Sequence, residues 1–377
     1  MTAQQPVSSP GAIRRIGLLT GGGDAPGLNG VIRAVVLAAE GRGWECHGIR
    51  DGFNGLLAPA TCAGEPVTRL RGFEVQSIGH LGGTILGSTN RGNPLHYPTA
   101  DGSGQVVERD RTGEVVALCR ARGLDALVVV GGDGSMGIAQ ALHAAGLPVV
   151  GVPKTIDNDL DKTFFTFGFD TAVGFAAECI DRLHTTAHSQ HRVMVVEVMG
   201  RYAGWIALHA GIAGGAHAIL IPEIPYRIEV VLDAIARRDA GGHHHAIVVV
   251  AEGAQELGGE REVRKAAEAG HAERLGGIGA RVEAQLAAAS SKECRSVVLG
   301  HLLRGGSPSS FDRVIAARFG AAAVRALASG QAGVMVALGP QAIELVPLAA
   351  VAGHTRTVPV DGDTVATARE LGICLGD

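Results

Sequence analysis

Residues 124–145 read LDALVVVGGDGSMGIAQALHAA, and this stretch decides the fold. The apolar run at residues 124–130 predicts a buried parallel strand, because both faces of such strands are covered. Glycines at residues 131–134 predict a tight turn, and residues 135–145 predict a helix. The helix N-terminus would then face the carboxyl edge of the sheet, where ligands bind in folds of this kind.

Residues 16–40 repeat this order of strand, glycine turn and helix. Further apolar runs lie at residues 193–198, 219–221 and 246–251, and they predict a second parallel sheet. A chain of 377 residues is long enough for two lobes, since single cores stop growing at roughly 250–300 residues. The fold class expected is therefore α/β, with two doubly wound, Rossmann-like lobes and mainly parallel sheets.

Composition excludes several partners. A formal net charge of -4 gives no electrostatic case for nucleic acid or an anionic membrane. No apolar run reaches the roughly 18 residues of a spanning helix, and the polar start lacks the apolar core of a signal peptide. The six cysteines are scattered singly, as expected for reduced thiols. We therefore expect a cytoplasmic protein.

The adjacent histidines His243, His244 and His245 raise the question of a metal site. Neighbouring side chains on an extended chain point in alternate directions. No acidic or cysteine partner is spaced nearby to complete a site. We therefore expect no metal at these residues.

The glycine turn at residues 131–135 places Asp133 where a phosphate-binding turn would ordinarily avoid negative charge. Mg²⁺ would resolve the conflict, since it is held by one or two carboxylates plus substrate phosphates. Gly132 and Gly134 would let phosphate oxygens approach the backbone. Taken alone, the run fits a simple turn with Asp133 as turn former equally well.

Asp157 and Asp159 follow a predicted strand and a proline at the same sheet edge. Phosphoryl transfer needs an oriented hydroxyl and an aspartate that accepts its proton. We predict Asp157 as that base and Asp159 as a supporting or metal-linked carboxylate. The alternative, that both carboxylates cap the following segment, suits Asp159 better than Asp157.

Together these motifs resemble the bacterial phosphofructokinases, from about residue 13 to residue 327 and in the correct order. The longest matches are EVMGRY at residues 197–202 and GHLLRGGSP at residues 300–308. The resemblance implies Mg²⁺-assisted phosphoryl transfer to the 1-hydroxyl of fructose 6-phosphate, as in glycolysis.

For the domains, we expect a flexible tail at residues 1–12. A larger nucleotide-binding lobe would comprise residues 13–168 plus 303–350, and a smaller sugar-phosphate-binding lobe residues 169–302.

By motif match, the resemblance implies a set of donor-binding residues in which Asp133 holds Mg²⁺. These are Gly22, Gly132, Asp133, Gly134, Ser135 and Lys154. The family commonly has an arginine after the position of Ser88 that reaches the donor phosphates. Here Asn90 stands near that place and Arg91 follows it, so we assign Arg91 to the donor as well.

The resemblance likewise implies a sugar-phosphate site in which Asp157 and Arg201 are catalytic. Its residues are Thr155, Ile156, Asp157, Arg192, Met199, Gly200, Arg201, Glu252, Arg295, His301 and Arg304. Bidentate guanidinium contacts suit a 6-phosphate dianion. In the family, Arg192 and Arg295 reach the sugar phosphate of a neighbouring subunit. The match therefore implies a homo-oligomer, a tetramer as first choice and a dimer as second.

Two residues disagree about the phosphoryl donor. In the family, glycine at the position of Gly134 accompanies ATP use, because an aspartate there would occupy the place of the α-phosphate. Lysine at the position of Lys154 accompanies pyrophosphate use. We give Gly134 more weight and expect an ATP-dependent enzyme, since a blocking charge is decisive whereas an added lysine only supplies another phosphate contact.

Other interpretations stay open at this point. A pyrophosphate-dependent phosphotransferase is the nearest, and sedoheptulose 7-phosphate presents the same reacting end as fructose 6-phosphate. An NAD or lipid kinase shares the glycine–aspartate turn but does not explain residues 155–159. A non-catalytic sugar-phosphate sensor would typically have lost Asp133 or Asp157. Leu37 replaces an effector-binding arginine of the family although Arg33 remains, so the family's regulation is not expected.

Overall fold

The computed structural model describes residues 13–100, 102, 105–265 and 274–377, and the tail predicted at residues 1–12 lies outside the described residues. The strands in chain order are β1 (Arg15–Thr20), β2 (Glu45–Ile49), β3 (Val67–Leu70), β4 (Tyr97–Ala100), β5 (Val106–Arg109), β6 (Ala126–Gly131), β7 (Val149–Pro153), β8 (Val193–Val198), β9 (Ala218–Leu220), β10 (Ala246–Ala251), β11 (Val263–Lys265), β12 (Arg274–Leu275), β13 (Cys294–Val298), β14 (Val334–Leu338) and β15 (Ile343–Pro347). The α-helices are α1 (Leu28–Glu40), α2 (Asn54–Leu57), α3 (Gly72–Val75), α4 (Thr112–Ala121), α5 (Asp133–Ala144), α6 (Phe169–Gln190), α7 (Trp205–Ala213), α8 (Ile228–Ala240), α9 (Ile278–Ala289), α10 (Ser310–Ala328) and α11 (Asp363–Glu370).

The larger sheet has the strand order β15-β14-β7-β6-β1-β2-β3. Its inner strands run parallel, with Ile16 beside Ala126, whereas β3 and β15 pair antiparallel at the two edges. Strand β6 is buried along its whole length. Val128 belongs to a core that includes residues of α1 and α10, and Val129 belongs to a second core on the other face with residues of α4 and α5.

The smaller sheet has the order β13-β8-β10-β9, and all its pairs are parallel. Val249 shares a core with residues of α6 and α7, and Val250 shares one with residues of α8 and α9. Both sheets are thus covered by helices on both faces, as continuous apolar strands require. The predicted α/β class with two mainly parallel sheets is confirmed.

The start of α5 differs from the prediction. Asp133 and Gly134 form its first turn rather than a preceding loop, and Gly132 is the extended cap. The carboxylate of Asp133 interacts favourably with the positive end of the helix dipole, which makes this earlier start stable.

The chain after residue 350 lies outside both predicted lobes. It returns to the smaller sheet, where Cys374 forms a parallel bridge with Ala218, and α11 contacts α7. The lobe boundaries themselves stay a prediction. In the described ranges, no helix is both long and apolar enough to cross a membrane.

Candidate active site

Three neighbouring strand ends meet at the carboxyl edge of the larger sheet. The backbone N–H of Gly21, after β1, donates to the carbonyl of Val130 at 2.8 Å. The backbone N–H of Lys154, after β7, donates to the carbonyl of Gly131 at 2.9 Å. The glycine turns predicted from the sequence therefore lie side by side.

A cleft of about 560 Å³ opens at this edge. It is lined by Gly22, Gly23, Asp24, Gly83, Thr84, Ser88, Thr89, Asn90 and Arg91. The φ of Gly22 is +77°, in the region that favours glycine, and its N–H donates to the carbonyl of Thr89 at 3.0 Å. The structure thus brings Gly22 and Arg91 together, and we call this space the donor cleft.

The N-terminus of α5 faces the same edge and remains open around Gly134. A Cβ built on Gly134 would meet no atom within 4 Å, whereas one on Gly131 would lie 2.1 Å from Oγ of the buried Ser135. Gly131 is therefore needed for close packing, and Gly134 is not. The Oδ1 atom of Asp133 accepts a hydrogen bond from the backbone N–H of Gly353 at 2.7 Å.

Lys154 is buried beneath the glycine turn that follows β1. Its side chain is only 3% exposed, and Nζ donates to the carbonyl oxygen of Gly23. Burial and the positive charge of Arg304 together lower the pKa of Lys154 to about 8, while Asp24 opposes the shift. The ammonium group therefore supports the turn that lines the donor cleft.

Asn158 shapes the loop that carries the two predicted aspartates. Its φ is +53°, which asparagine tolerates better than most residues, and its Oδ1 accepts from the backbone N–H of Thr166 at 3.1 Å. The bend places Asp157 and Asp159 beside different partners, although the charge of Asp159 still acts on Asp157. The charges acting on Asp157 include Arg304, Glu252 and Arg201, whereas those acting on Asp159 include Asp133 and Lys154.

Asp157 has the most unusual surroundings in the site. Its Oδ1 is sealed from solvent and has no hydrogen-bond partner among the described residues. The pKa of Asp157 is raised to about 7, chiefly by burial and by the charge of Asp159, with Glu252 adding to the rise and Arg304 and Arg201 opposing it. Such a carboxylate is poised to accept a proton near neutral pH.

Asp159 and Asp133 form a second acidic pair. Burial raises the pKa of Asp159, the Thr155 side chain opposes this by hydrogen bonding, and the charge of Asp133 raises it again. Two carboxylates that repel each other beside a helix N-terminus are a set of ligands that Mg²⁺ suits. The residues present therefore fit a magnesium ion.

The end of the smaller sheet supplies Glu252 and the turn that contains Arg201. The N–H of Glu252 donates to the carbonyl of Val198 at 2.9 Å. A Cβ on Gly253 would lie 2.0 Å from the carbonyl oxygen of Arg201, so glycine is required for this close approach. Burial raises the pKa of Glu252, and the positive charge of Arg201 opposes the shift.

Two predicted sugar-site residues are enclosed. The side chain of Ile156 is fully buried in the core of the smaller lobe, and Met199 is only 8% exposed. Ile156 can therefore contribute to a ligand site only through its backbone.

His301 and Arg304 both lie on the short 3-10 helix Gly300–Arg304. His301 is exposed. The Nη1 of Arg304 donates to the carbonyl oxygen of Asp24 at 3.1 Å, so this arginine reaches the turn beside the donor cleft.

Arg192 and Arg295 are not brought to this site. Arg192 precedes β8 and Arg295 lies near the start of β13, at the amino edge of the smaller sheet. Both bind Glu293, with N···O distances of 2.7 and 2.5 Å. Both arginines therefore lie at the opposite end of the smaller sheet from Glu252, which follows the carboxyl end of β10.

Sequence reasoning missed the segment around Arg356. Its N–H donates to the carbonyl of Asp159 at 2.8 Å, and Nη1 donates to the carbonyls of Thr163 and Phe164 at 2.9 and 2.8 Å. The guanidinium carbon lies 4.6 Å from the ring centre of Trp205. No local pattern marks such a residue, because all its partners are distant in sequence.

Comparisons with known proteins agree with this geometry. A family model described as Phosphofructokinase matches residues 15–327. The ATP-dependent 6-phosphofructokinase of Chloroflexus aurantiacus is 53% identical over 365 residues, which cover 97% of this chain and 98% of that relative. The pyrophosphate–fructose 6-phosphate 1-phosphotransferase of Amycolatopsis methanolica is 50% identical over 348 residues, which cover 92% of this chain and 96% of that relative.

Among solved structures, the T-state crystal structure of Pichia pastoris phosphofructokinase is similar, with a TM-score of 0.78 and 28% identity. The match covers 99% of this chain and 39% of that chain. This chain thus spans less than half the length of that relative.

Proposed function

Because this chain belongs to the phosphofructokinase family, we propose that it is an ATP-dependent 6-phosphofructokinase. It transfers the γ-phosphoryl group of ATP to the 1-hydroxyl of fructose 6-phosphate and yields fructose 1,6-bisphosphate and ADP. The place of the reaction in glycolysis implies action in the cytoplasm.

The observation that carries this proposal is that Oδ1 of Asp157 is buried and has no hydrogen-bond partner among the described residues. The pKa of the same carboxyl group is raised to about 7. A hydroxyl that donates to this oxygen satisfies the buried acceptor and is activated at the same time. Asp157 takes the proton as the sugar oxygen forms its bond to the γ-phosphorus. The bond from that phosphorus to the oxygen bridging to the β-phosphate breaks, ADP departs, and the proton later passes to water.

Arg201 and Glu252 complete the reacting centre. The charges of both residues act on Asp157, and the charge of Arg201 also acts on Glu252. The guanidinium of Arg201 stabilises the negative charge of the transferring phosphoryl group. Glu252, Thr155, Met199, Gly200 and the backbone of Ile156 bind the sugar, while His301 and Arg304 bind its phosphate.

The donor-binding residues are of two kinds: some offer backbone N–H groups, and others offer charged side chains. Gly22, Gly132, Gly134 and Ser135 present backbone N–H groups to the phosphates, and Arg91 at the rim of the donor cleft adds a cation. Mg²⁺ is held by Asp133 with Asp159 in support. When bound, this ion neutralises charge on the donor phosphates.

ATP is favoured as donor by the space around Gly134 and by the position of Lys154. The open surroundings of Gly134 leave room for an α-phosphate. Lys154 is engaged with the carbonyl of Gly23, so its presence does not require pyrophosphate. Pyrophosphate is the second candidate donor, because the buried ammonium lies directly beneath the donor cleft and a relative named for pyrophosphate is 50% identical.

Arg192 and Arg295 act on the sugar phosphate of a neighbouring subunit. Their position at the amino edge supports this role, since both lie at the opposite end of the smaller sheet from Glu252 of their own chain. The enzyme is accordingly a homo-oligomer, with a tetramer preferred over a dimer.

The test uses ATP, Mg²⁺ and fructose 6-phosphate, with the product identified by phosphorus NMR. Wild type should form fructose 1,6-bisphosphate, whereas Asp157→Asn should not form it at a comparable rate. Phosphorylation of the sugar at another position would overturn the proposal and indicate a different kinase. Binding of fructose 6-phosphate without turnover would overturn it and indicate a sugar-phosphate sensor. Sedoheptulose 7-phosphate as a parallel acceptor measures how far the site discriminates chain length.

A further inference from the structure

Three histidines from distant parts of the chain meet at the amino edge of the smaller sheet. His184 lies on α6, His217 immediately precedes β9, and His245 immediately precedes β10. We call them the histidine triad. The residues adjacent to His245 in the sequence predict no metal site. The partners of His245 in the triad, His184 and His217, come instead from distant parts of the chain.

The triad is close to an equilateral triangle of rings. The ring centres of His184 and His217 lie 5.6 Å apart, as do those of His217 and His245, and those of His184 and His245 lie 5.9 Å apart. The ring planes are nearly perpendicular, at 85–86°. One nitrogen of each ring lies within 4.8 Å of the other two.

This geometry suits an ion that prefers nitrogen ligands. With zinc–nitrogen bonds of about 2.0–2.1 Å, tetrahedral ligand nitrogens are about 3.4 Å apart, so rotations of the side chains that bring the three nitrogens closer would close the site. We propose that the histidine triad binds a divalent transition-metal ion of the Zn²⁺ class. All three side chains are partly exposed, so water can fill a fourth position.

His188 is a second candidate for the fourth position. It stands four residues after His184 on α6 and therefore lies on the same face of the helix. Its ring centre is 5.3 Å from that of His245. Two histidines four residues apart on one helix face are a recurrent metal-binding arrangement.

The hydrogen bonds of the triad orient its nitrogens. Nε2 of His184 donates to the carbonyl of Gly214 at 2.7 Å, which leaves Nδ1 with its lone pair for a metal. Nδ1 of His217 accepts from the backbone N–H of Ile247 at 2.8 Å. A half-turn of this ring frees a lone pair for the ion at the cost of that one hydrogen bond.

The surroundings favour a nitrogen-loving ion over Mg²⁺. The nearby charge of Arg238 disfavours an ion that is held by charge alone. Imidazole ligands select zinc, copper, nickel or cobalt instead.

The site is structural rather than catalytic. The triad lies at the amino edge of the smaller sheet, whereas Glu252 follows the carboxyl end of β10. A bound ion would tie α6 to β9 and β10, and α6 ends just before Arg192. The expected effect is therefore a more stable smaller lobe.

The experiment uses the full chain without an affinity tag, dialysed against a chelator and titrated with Co²⁺. Wild type should bind one Co²⁺ per chain with a visible ligand-field band, and Zn²⁺ should displace it. His217→Asn keeps an oxygen that can accept from Ile247, and His245→Gln leaves that bond untouched. Each variant should weaken Co²⁺ binding at least about tenfold and lose the metal-dependent rise in Tm.

His244→Gln is the matched control. His244 is adjacent to His245, but its ring faces His191, and Nδ1 lies 3.3 Å from Asp239. This variant should bind Co²⁺ as wild type does. Wild type without saturable binding overturns the proposal, and so does an equal loss in His244→Gln, which would indicate nonspecific binding by a histidine-rich surface.

Discussion

The Nζ of Lys154 donates a hydrogen bond to the carbonyl oxygen of Gly23, so a buried cation supports the turn that lines the donor cleft. A lysine with this partner contributes to the shape of the site as well as to its charge. We expect Lys154→Met to raise the KM for ATP about tenfold and to change kcat less, because the turn loses its support while the reacting centre is intact. Steady-state kinetics check this. A kcat reduced by more than about 100-fold would instead indicate that Lys154 acts on the transferring group.

Gly134→Asp should remove ATP turnover almost completely, by about 100-fold or more, because a carboxylate beside the donor phosphates is repelled by like charge. Gly134→Asn is the control, since it has nearly the same size without the charge and the surroundings of Gly134 are open. Because it fills the same space without the charge, it should retain more activity than Gly134→Asp but less than wild type. Undiminished ATP turnover in Gly134→Asp would refute the electrostatic explanation, and equal losses in both variants would make the effect steric.

Activity should fall as the pH drops below about 7, because Asp157 must be ionised to accept a proton and its pKa is raised to about 7. A pH profile of kcat/KM for fructose 6-phosphate measures this. Asp157→Asn should lower kcat by about 10²–10⁴-fold and abolish the acidic limb. A profile that is flat from pH 5 to pH 8 in wild type would contradict the role of Asp157.

Asp157→Asn should be less active than wild type but more stable at high pH. The pKa of Asp157 is raised from 3.8 to about 7 in the folded chain, so the folded state retains a proton that the unfolded chain releases. Ionisation therefore costs stability as the pH rises through about 7. The variant should be more stable than wild type at pH 8, with a smaller difference at pH 4. Equal Tm differences at both pH values would show that the carboxylate is not held in an unfavourable place.

The guanidinium group of Arg356 should act as a positioning group through its contacts with the carbonyls of Thr163 and Phe164. The hydrogen bond to Asp159 comes from the backbone N–H and remains in any variant. Arg356→Ala should reduce kcat about tenfold with little change in the KM for ATP, because the loop that carries Asp157 loses its anchor. Arg356→Lys should rescue part of this, since one donor remains. If Arg356→Ala lowers the Tm but leaves kcat unchanged, Arg356 has only a structural role.

Subunit mixing tests whether Arg192 acts across an interface. Arg192→Ala and Asp157→Asn should each be nearly inactive as pure proteins. After dissociation and reassociation together, hybrid oligomers gain sites in which both residues are intact, and activity should return. Mixtures that stay inactive, although mass spectrometry shows hybrids, would place Arg192 outside the neighbour's site.

The sequence predicted the features that are encoded locally. The apolar runs before Gly131 and Lys154 determine the strands, and the family, the fold class and the kinase function are confirmed by the fold and the relatives. The helix start at Asp133 was misplaced by two residues, because a first-turn aspartate also fits a loop.

Long-range features were beyond sequence reasoning. Arg356 contacts the Asp157 loop only because the chain returns from the far end of the fold. The histidine triad likewise depends on the alignment of α6, β9 and β10, which no spacing rule for neighbouring residues contains. The roles assigned to the individual site residues, Arg91 among them, stay predictions.

The measurement that tests the account most directly is the kcat/KM of purified wild type for ATP and for pyrophosphate, with Mg²⁺ and saturating fructose 6-phosphate. We predict robust turnover with ATP, for whose α-phosphate the open space at Gly134 leaves room, and a value for pyrophosphate lower by about 100-fold or more. Robust turnover with pyrophosphate and none with ATP would contradict the account.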